Sequence, residues 1–261
     1  MGPHGGVHSM DIMKYYEVSH RWHQLFNPMS MTKFEGLMRS LRLPKGSKVL
    51  DMACGSGEYL VRLAELYGIS GVGVDRSHAF IVRCRENMTA RTPGSDLNFI
   101  EMDGASYEPG GDGPFDLSMC IGAEWIYKGT TGTIRAMKAF TKDGGLVAIG
   151  SPYWLKEPSD EYLKLTGIKR EDYGDFSTHL RLGEAEGMSC VNIVASDPDD
   201  WDHYETLQWL AVDEYIRENP QDPDNPELRR ISHEFKEHYL RGGREYMNWA
   251  IFIFRKRMTV E

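Results

Sequence analysis

The sequence predicts an α/β protein: a seven-stranded, mostly parallel sheet with helices on both faces and a helical cap. Three observations carry this expectation. Short apolar runs alternate with stretches of helical periodicity, as in successive strand–helix units. A turn of small residues, Ala53-Cys54-Gly55-Ser56-Gly57, separates the first such run from the first core helix. Four runs in succession end in small or acidic residues, which suits the ligand-binding edge of an open parallel sheet.

The first strand is Lys48-Val-Leu-Asp51-Met, apolar and ending in an acid, and Leu60, Leu63, Ala64 and Tyr67 then recur on one helical face. Small residues between them let a ligand approach the backbone, where it meets free N–H groups at the helix N-terminus. The dinucleotide fingerprint fails here. Its third small residue would fall on Leu60, or on Glu58 if counted from Ala53. The stretch resembles motif I of the class I S-adenosylmethionine-dependent methyltransferases, read as Asp51-x-Ala53-x-Gly55-x-Gly57 with Ala53 replacing the first glycine. The resemblance implies a Rossmann-like sheet and S-adenosyl-L-methionine as cofactor, with S-adenosyl-L-homocysteine as product. It places Asp51, Ala53, Cys54, Gly55 and Gly57 at that cofactor. A tight strand-to-helix turn with no ligand is the alternative reading of the same residues.

The second strand, Gly71-Val-Gly-Val-Asp75, ends in an acid at close to the ~20-residue spacing expected of a ribose-binding carboxylate, with Arg76 next to it. A third strand, Leu97 to Met102, delivers Asp103-Gly104-Ala105. In the family an acid at this point binds the adenine amino group and neighbouring backbone contacts the ring, so Met102, Asp103, Gly104 and Ala105 are expected there. The fourth strand, Phe115 to Cys120, ends in Ile121-Gly122-Ala123-Glu124-Trp125; Cys120, Gly122 and Trp125 complete the expected cofactor set.

Residues 1–9 are glycine-rich and aperiodic, and are expected to be a flexible leader or tag remnant. Residues 10–43 are expected to form a helical lid: one helix from Asp11 to Phe26, a break at Asn27-Pro28, and a second helix capped by Ser30 and running through Leu41. In related methyltransferases such a pair often folds over the cofactor, which would bring Tyr15 and Tyr16 to the substrate; alternatively the aromatics pack the helices onto the sheet. His20 and His23 are three apart, but no third ligand is visible and no metal is expected. Residues 44–261 form the core. Helices are expected at His78–Arg91 and Thr130–Phe140, and strand five at Leu146–Gly150 after Asp143-Gly144-Gly145. Cap insertions fall around 155–175 and 200–242, the latter two helices parted by the proline-rich stretch 219–226. Strand six is Met188–Ala195, and Met247–Phe254 is a near-continuous apolar strand, hence central.

Cys120-Ile-Gly-Ala-Glu-Trp125, Gly150-Ser-Pro-Tyr-Trp154 and Trp201-Asp-His-Tyr-Glu205 make the chain similar to a narrower group, small bacterial small-molecule methyltransferases of mostly unassigned substrate. In that group an acid often stands where this chain has Ser151, so no acid–base role is assigned there. Trp125, Tyr153 and Trp154 follow strands four and five, where the acceptor is expected, and could offer a π face to the sulfonium. Methyl transfer is an in-line displacement in which placement of the acceptor supplies much of the acceleration. An oxygen acceptor of high pKa would need a base. Glu124, His20 and His23 are candidates, with Tyr204 as a hydrogen-bond donor.

The chain has 261 residues, a net charge of −9 and a pI near 5.5, which argues against nucleic acid as an obligatory partner. A small-molecule acceptor is expected. A methyltransferase acting on RNA or protein, and a non-catalytic cofactor-binding protein, remain as alternatives. Four scattered cysteines read as reduced buried thiols of a cytoplasmic protein, with no membrane span.

Overall fold

The computed structural model describes residues 10–258, and the expected leader at 1–9 lies outside the described residues. Its strands are β1 (Lys48–Met52), β2 (Ser70–Asp75), β3 (Asp96–Glu101), β4 (Phe115–Ile121), β5 (Thr141–Trp154), β6 (Met188–Ala195) and β7 (Met247–Lys256). They form one sheet in the order β3-β2-β1-β4-β5-β7-β6. β1 to β5 are mutually parallel, and β7 runs antiparallel to both β5 and β6. From β1 the chain winds out to β2 and β3, then returns to place β4 on the other side of β1. That reversal opens a crevice at the C-terminal ends of β1 and β4, where open α/β sheets bind ligands.

The helices are α1 (Ile12–Ser19), α2 (Met31–Ser40), α3 (Glu58–Tyr67), α4 (His78–Arg91), α5 (Thr130–Phe140), α6 (Asp160–Thr166), α7 (Phe176–Ala185), α8 (Pro198–Glu218) and α9 (Asn225–His238). Alternation along the strands divides the core. Val49, Leu117 and Ala148 face α2, α3 and α4 through Phe34, Leu60 and Ile81; Leu50, Cys120 and Ile149 face α5 through Ile134 and Met137. A third cluster joins α1 to α8 and α9 through Tyr15, Val212, Leu228 and Ile231.

Three boundaries differ from expectation by more than two residues. The helix expected over Asp11–Phe26 ends at Ser19. Carbonyls that a longer helix would use internally are taken instead by the Arg83 guanidinium, which donates to His20 O at 3.1 Å, to Arg21 O at 3.4 Å and to His23 O. β5 begins at Thr141 rather than Leu146, because Asp143-Gly144-Gly145 is an excursion within the strand: Thr141 pairs with Phe115, and Leu146 with Leu117. It then continues to Trp154, held by antiparallel pairing down to Met247. Cys54, Cys84 and Cys120 are buried free thiols, whereas Cys190, on edge strand β6, is half-buried. Among the described residues no helix is long and apolar enough to cross a membrane.

Candidate active site

β1 carries Asp51 into the crevice, and the turn after it is wound by left-handed residues: Ala53 at φ 60°, Gly55 at 52° and Gly57 at 75°. A non-glycine residue pays roughly 1–2 kcal/mol for that region, so Ala53 stores strain at the site. The turn is tied to β2. Cys54 N donates to Val74 O at 3.0 Å, and Gly55 N donates to Asp75 Oδ2 at 3.0 Å. The other Asp75 oxygen accepts Ser77 N at 2.9 Å. A Cβ on Gly55 would lie 2.6 Å from the Phe26 ring, so the segment after α1 rests directly on the glycine turn.

Beneath Phe26 lies a narrow cleft walled by Asn27, Asp51, Ala53 and Tyr59. Two buried acceptors in it, Asp51 Oδ2 and Asn27 Oδ1, have no hydrogen-bond partner among the described residues. The Asn27 amide donates to Tyr59 Oη at 3.0 Å. Burial, followed by the nearby Asp75 charge, pushes the Asp51 carboxyl up to about 8.

Phe26 and Asn27 also line a second, larger cavity of about 960 Å³, which extends from Gly122 at the end of β4 towards α7 and the start of β7. Its walls come from the segment after α1, from residues 171–174 before α7, and from Trp201 and Tyr204 of α8. Glu124, in the 3-10 turn Glu124–Tyr127 after β4, lines it. Ser151 Oγ lies 3.2 Å from Glu124 Oε1, 3.1 Å from His179 Nε2 and 3.3 Å from Thr130 Oγ1. His179 is stacked on Phe252 with ring centroids 4.9 Å apart, and its Nδ1 lies 3.2 Å from Asp175 O. Burial raises the Glu124 pKa and lowers that of His179. Across the cavity, His20 Nδ1 lies 3.0 Å from Tyr16 O, a pure acceptor, and so carries the proton. Its Nε2 then accepts the Tyr204 hydroxyl at 2.8 Å. Burial, with His23 close by, pushes His20 down to about 3, so this ring is neutral.

A family model described as a methyltransferase domain matches residues 49–145. The chain is 31% identical over 252 residues to YjhP of Escherichia coli K12, covering 95% of this chain and 100% of that protein, whose name calls it uncharacterized. A SAM-dependent methyltransferase from Geobacter sulfurreducens, solved with S-adenosyl-L-homocysteine, is 29% identical with a TM-score of 0.88, covering 95% of this chain and 100% of its own. Another from Thiobacillus denitrificans, also solved with S-adenosyl-L-homocysteine, is 32% identical with a TM-score of 0.86 over the same shares. The chain belongs to the S-adenosylmethionine-dependent methyltransferases. S-adenosyl-L-methionine is therefore its methyl donor.

In this methyltransferase the expected cofactor residues gather at the ends of β1 to β4. Arg76 follows β2; Met102 N donates to Asp75 O at 2.9 Å, and Asp103 caps the turn that holds Gly104 and Ala105. Cys120 is wholly buried at the end of β4 among the residues facing α5. The expected substrate aromatics are placed differently. Tyr15 is 1% exposed, packed against Phe235 between α8 and α9, and does not reach the cavity; Tyr16 is on its lining neither. Tyr153 is buried against Phe176 with its hydroxyl accepting Asn248 Nδ2, and Trp154 donates to Arg170 O. Neither lines the cavity. Of the aromatics expected at the acceptor, Trp125 is on the lining, at the rim and 69% exposed, while Tyr15, Tyr16, Tyr153 and Trp154 are replaced there by Phe26, Tyr173, Trp201, Tyr204 and Trp249. Of the base candidates, Glu124 faces the cavity, while His20 and His23 are buried behind Tyr204. Ser151 and His179 were not singled out as functional by sequence reasoning. Among the described residues, no three His, Cys, Asp or Glu are grouped to hold a metal ion.

Proposed function

We propose that this methyltransferase acts on a small-molecule acceptor held in the 960 Å³ cavity. The observation that carries the reading is the junction of cavity and cleft, with Phe26 and Asn27 walling both. Its volume falls in the ~300–1,000 Å³ range of small-ligand sites. A chain of net charge −9 is poorly suited to follow a polyanionic RNA backbone.

The residues of the cleft fit the cofactor. Asp51 Oδ2 and Asn27 Oδ1, buried without partners, suit the ammonium of its amino-acid end. Asp75 would accept from the ribose hydroxyls with lone pairs left over from Gly55 N and Ser77 N, and Met102 to Ala105 would meet the adenine. Bound there, the cofactor supplies an activated methyl group on a sulfonium. The protein's part is to orient the acceptor behind that methyl, exclude water with the Phe26 and Tyr173 segments, and take up any proton the acceptor releases. Glu124 is the group placed to do so, and Tyr204, whose own proton is committed to His20, can only accept a hydrogen bond on the cavity side. Four free cysteines suit a reducing compartment such as the cytoplasm.

The test is to incubate the protein with methyl-tritiated cofactor and a bacterial extract separated into metabolites, RNA and protein. Label entering the metabolite fraction supports the reading; label confined to RNA or protein overturns it.

A further inference from the structure

We propose that the acceptor is an amine, bound as its ammonium ion beside Glu124, and that Glu124 takes its proton and so completes a hydrogen-bonded chain through Ser151 to His179. This rests on the small-molecule reading and names its substrate class.

Two observations carry this, one for the cation and one for the fate of its proton. The first is the charge and shape of the cavity. Its walls carry three carboxylates, Glu124, Glu171 and Asp172, and among the described residues Lys128 is the single lysine or arginine on its lining. Its aromatic walls are Phe26, Trp125, Tyr173, Trp201, Tyr204 and Trp249. Aromatic faces combined with carboxylates select a cation, and a carboxylate acceptor would be repelled. An ammonium next to a sulfonium is also repelled, unless carboxylates lie close enough to offset both charges. Glu124 meets that requirement from the end of β4.

The second observation is the arrangement of protons between Glu124 and His179. The His179 Nδ1 faces Asp175 O, so in the neutral ring Nδ1 holds the proton and Nε2 is an acceptor. Ser151 has one hydroxyl proton and lies within hydrogen-bond distance of both that Nε2 and Glu124 Oε1. With Glu124 ionised and His179 neutral, the one Ser151 proton faces both of these acceptors and Pro152 O at 3.3 Å as well, and the chain is a proton short. An incoming ammonium supplies it. The N–H bond breaks towards Glu124 and leaves the nitrogen lone pair free. That pair forms the N–C bond as the methyl–sulfur bond breaks, its electrons going to sulfur. Glu124 then holds that proton and donates it to Ser151 Oγ, while the Ser151 hydroxyl donates to His179 Nε2. Glu124 is now neutral and each donor faces an acceptor, beside the N-methylammonium product. Glu124 is the catalytic residue of this scheme, and Ser151 and His179 are positioning residues. Cys120 on β4 and Tyr173 from the segment before α7 also act on Glu124, and burial raises the pKa of both; Lys128, which follows the turn, is exposed.

The test uses three ligands of one shape and different head groups: benzylammonium, benzyl alcohol and benzoate. Each is titrated into the full chain saturated with S-adenosyl-L-homocysteine, with quenching of tryptophan fluorescence as the readout. Benzylammonium is expected to bind about tenfold more tightly than either of the others. Glu124→Gln is expected to remove that preference while leaving cofactor affinity unchanged. Equal affinity for the three ligands, including failure of all three to bind, or a preference for benzoate, would overturn the amine; this comparison needs no variant to fold. Ser151→Ala is expected to keep the preference but move the acid limb of the pH profile for benzylammonium binding. An unmoved limb would remove the role of the Ser151–His179 chain. Label from tritiated cofactor appearing only in RNA or protein would instead defeat the small-molecule reading itself, whatever the head-group preference.

Discussion

The Asp75 carboxylate accepts the Gly55 amide at 3.0 Å, so the residue expected to hold the cofactor's ribose also holds the shape of the glycine turn. If Asp75 holds the ribose as expected, fold and cofactor binding are linked through one side chain. Asp75→Ala should cost both, with stability falling by roughly 1–3 kcal/mol from two buried N–H groups left without acceptors. Urea unfolding and calorimetric titration with S-adenosyl-L-homocysteine measure the two losses. A variant of unchanged stability would show that the turn does not depend on Asp75.

Asp51 gives a pH prediction. Its pKa in the folded protein stands near 8, above its ordinary value of 3.8, so ionisation is resisted by the fold. A group raised in this way contributes stability below its unfolded pKa, and the contribution is lost as pH rises through the folded value. The protein without cofactor should therefore lose stability between about pH 4 and 8 from this group. Asp51→Asn should flatten that slope and weaken cofactor binding, since an amide lacks the charge to hold an ammonium. Melting temperatures across this range check it, and an unchanged slope would contradict it.

Phe26 and Gly55 form a steric pair. Gly55→Ala should be costly twice, through φ of 52° and through the 2.6 Å approach to Phe26. Adding Phe26→Leu should recover the steric part alone. A double-mutant cycle on stability measures the coupling, and strict additivity would mean that Phe26 yields freely.

Nicotinamide dinucleotides should not bind. Leu60 is wholly buried under the turn, and Glu58 is buried in an ion pair with Arg91 at 2.5 Å, so neither leaves the space that a third glycine provides. A thermal-shift titration with NAD should give no stabilisation, and micromolar affinity would refute this.

What the sequence made legible was local. Asp51 to Gly57 and Asp75 lie at strand ends, where a few neighbouring residues decide the conformation, and the strands themselves were found by their apolar runs. The acceptor side was not legible, because it is built from distant parts of the chain. Tyr15 and Tyr16 are adjacent on one helix, and only the packing of α8 and α9 decides that Tyr15 turns inward. Ser151 and Tyr153 share one face of β5, and Pro152 is the residue of that stretch on the cavity lining. His179 reaches Ser151 from a helix 28 positions away, and although Ser151 lies in the Gly150–Trp154 stretch, nothing in the sequence marks His179 as its partner.

The most direct test of the account is to fill the cavity without touching the cleft. Thr131 lies on the cavity lining near the start of α5, away from Asp51 and Asp75, so Thr131→Trp should occupy acceptor space only. The measurement is transfer of tritiated methyl to the metabolite fraction, alongside affinity for S-adenosyl-L-homocysteine. The account predicts unchanged cofactor affinity with transfer reduced by about tenfold or more. Full transfer by this variant would contradict it, because the acceptor would then dock somewhere other than this cavity.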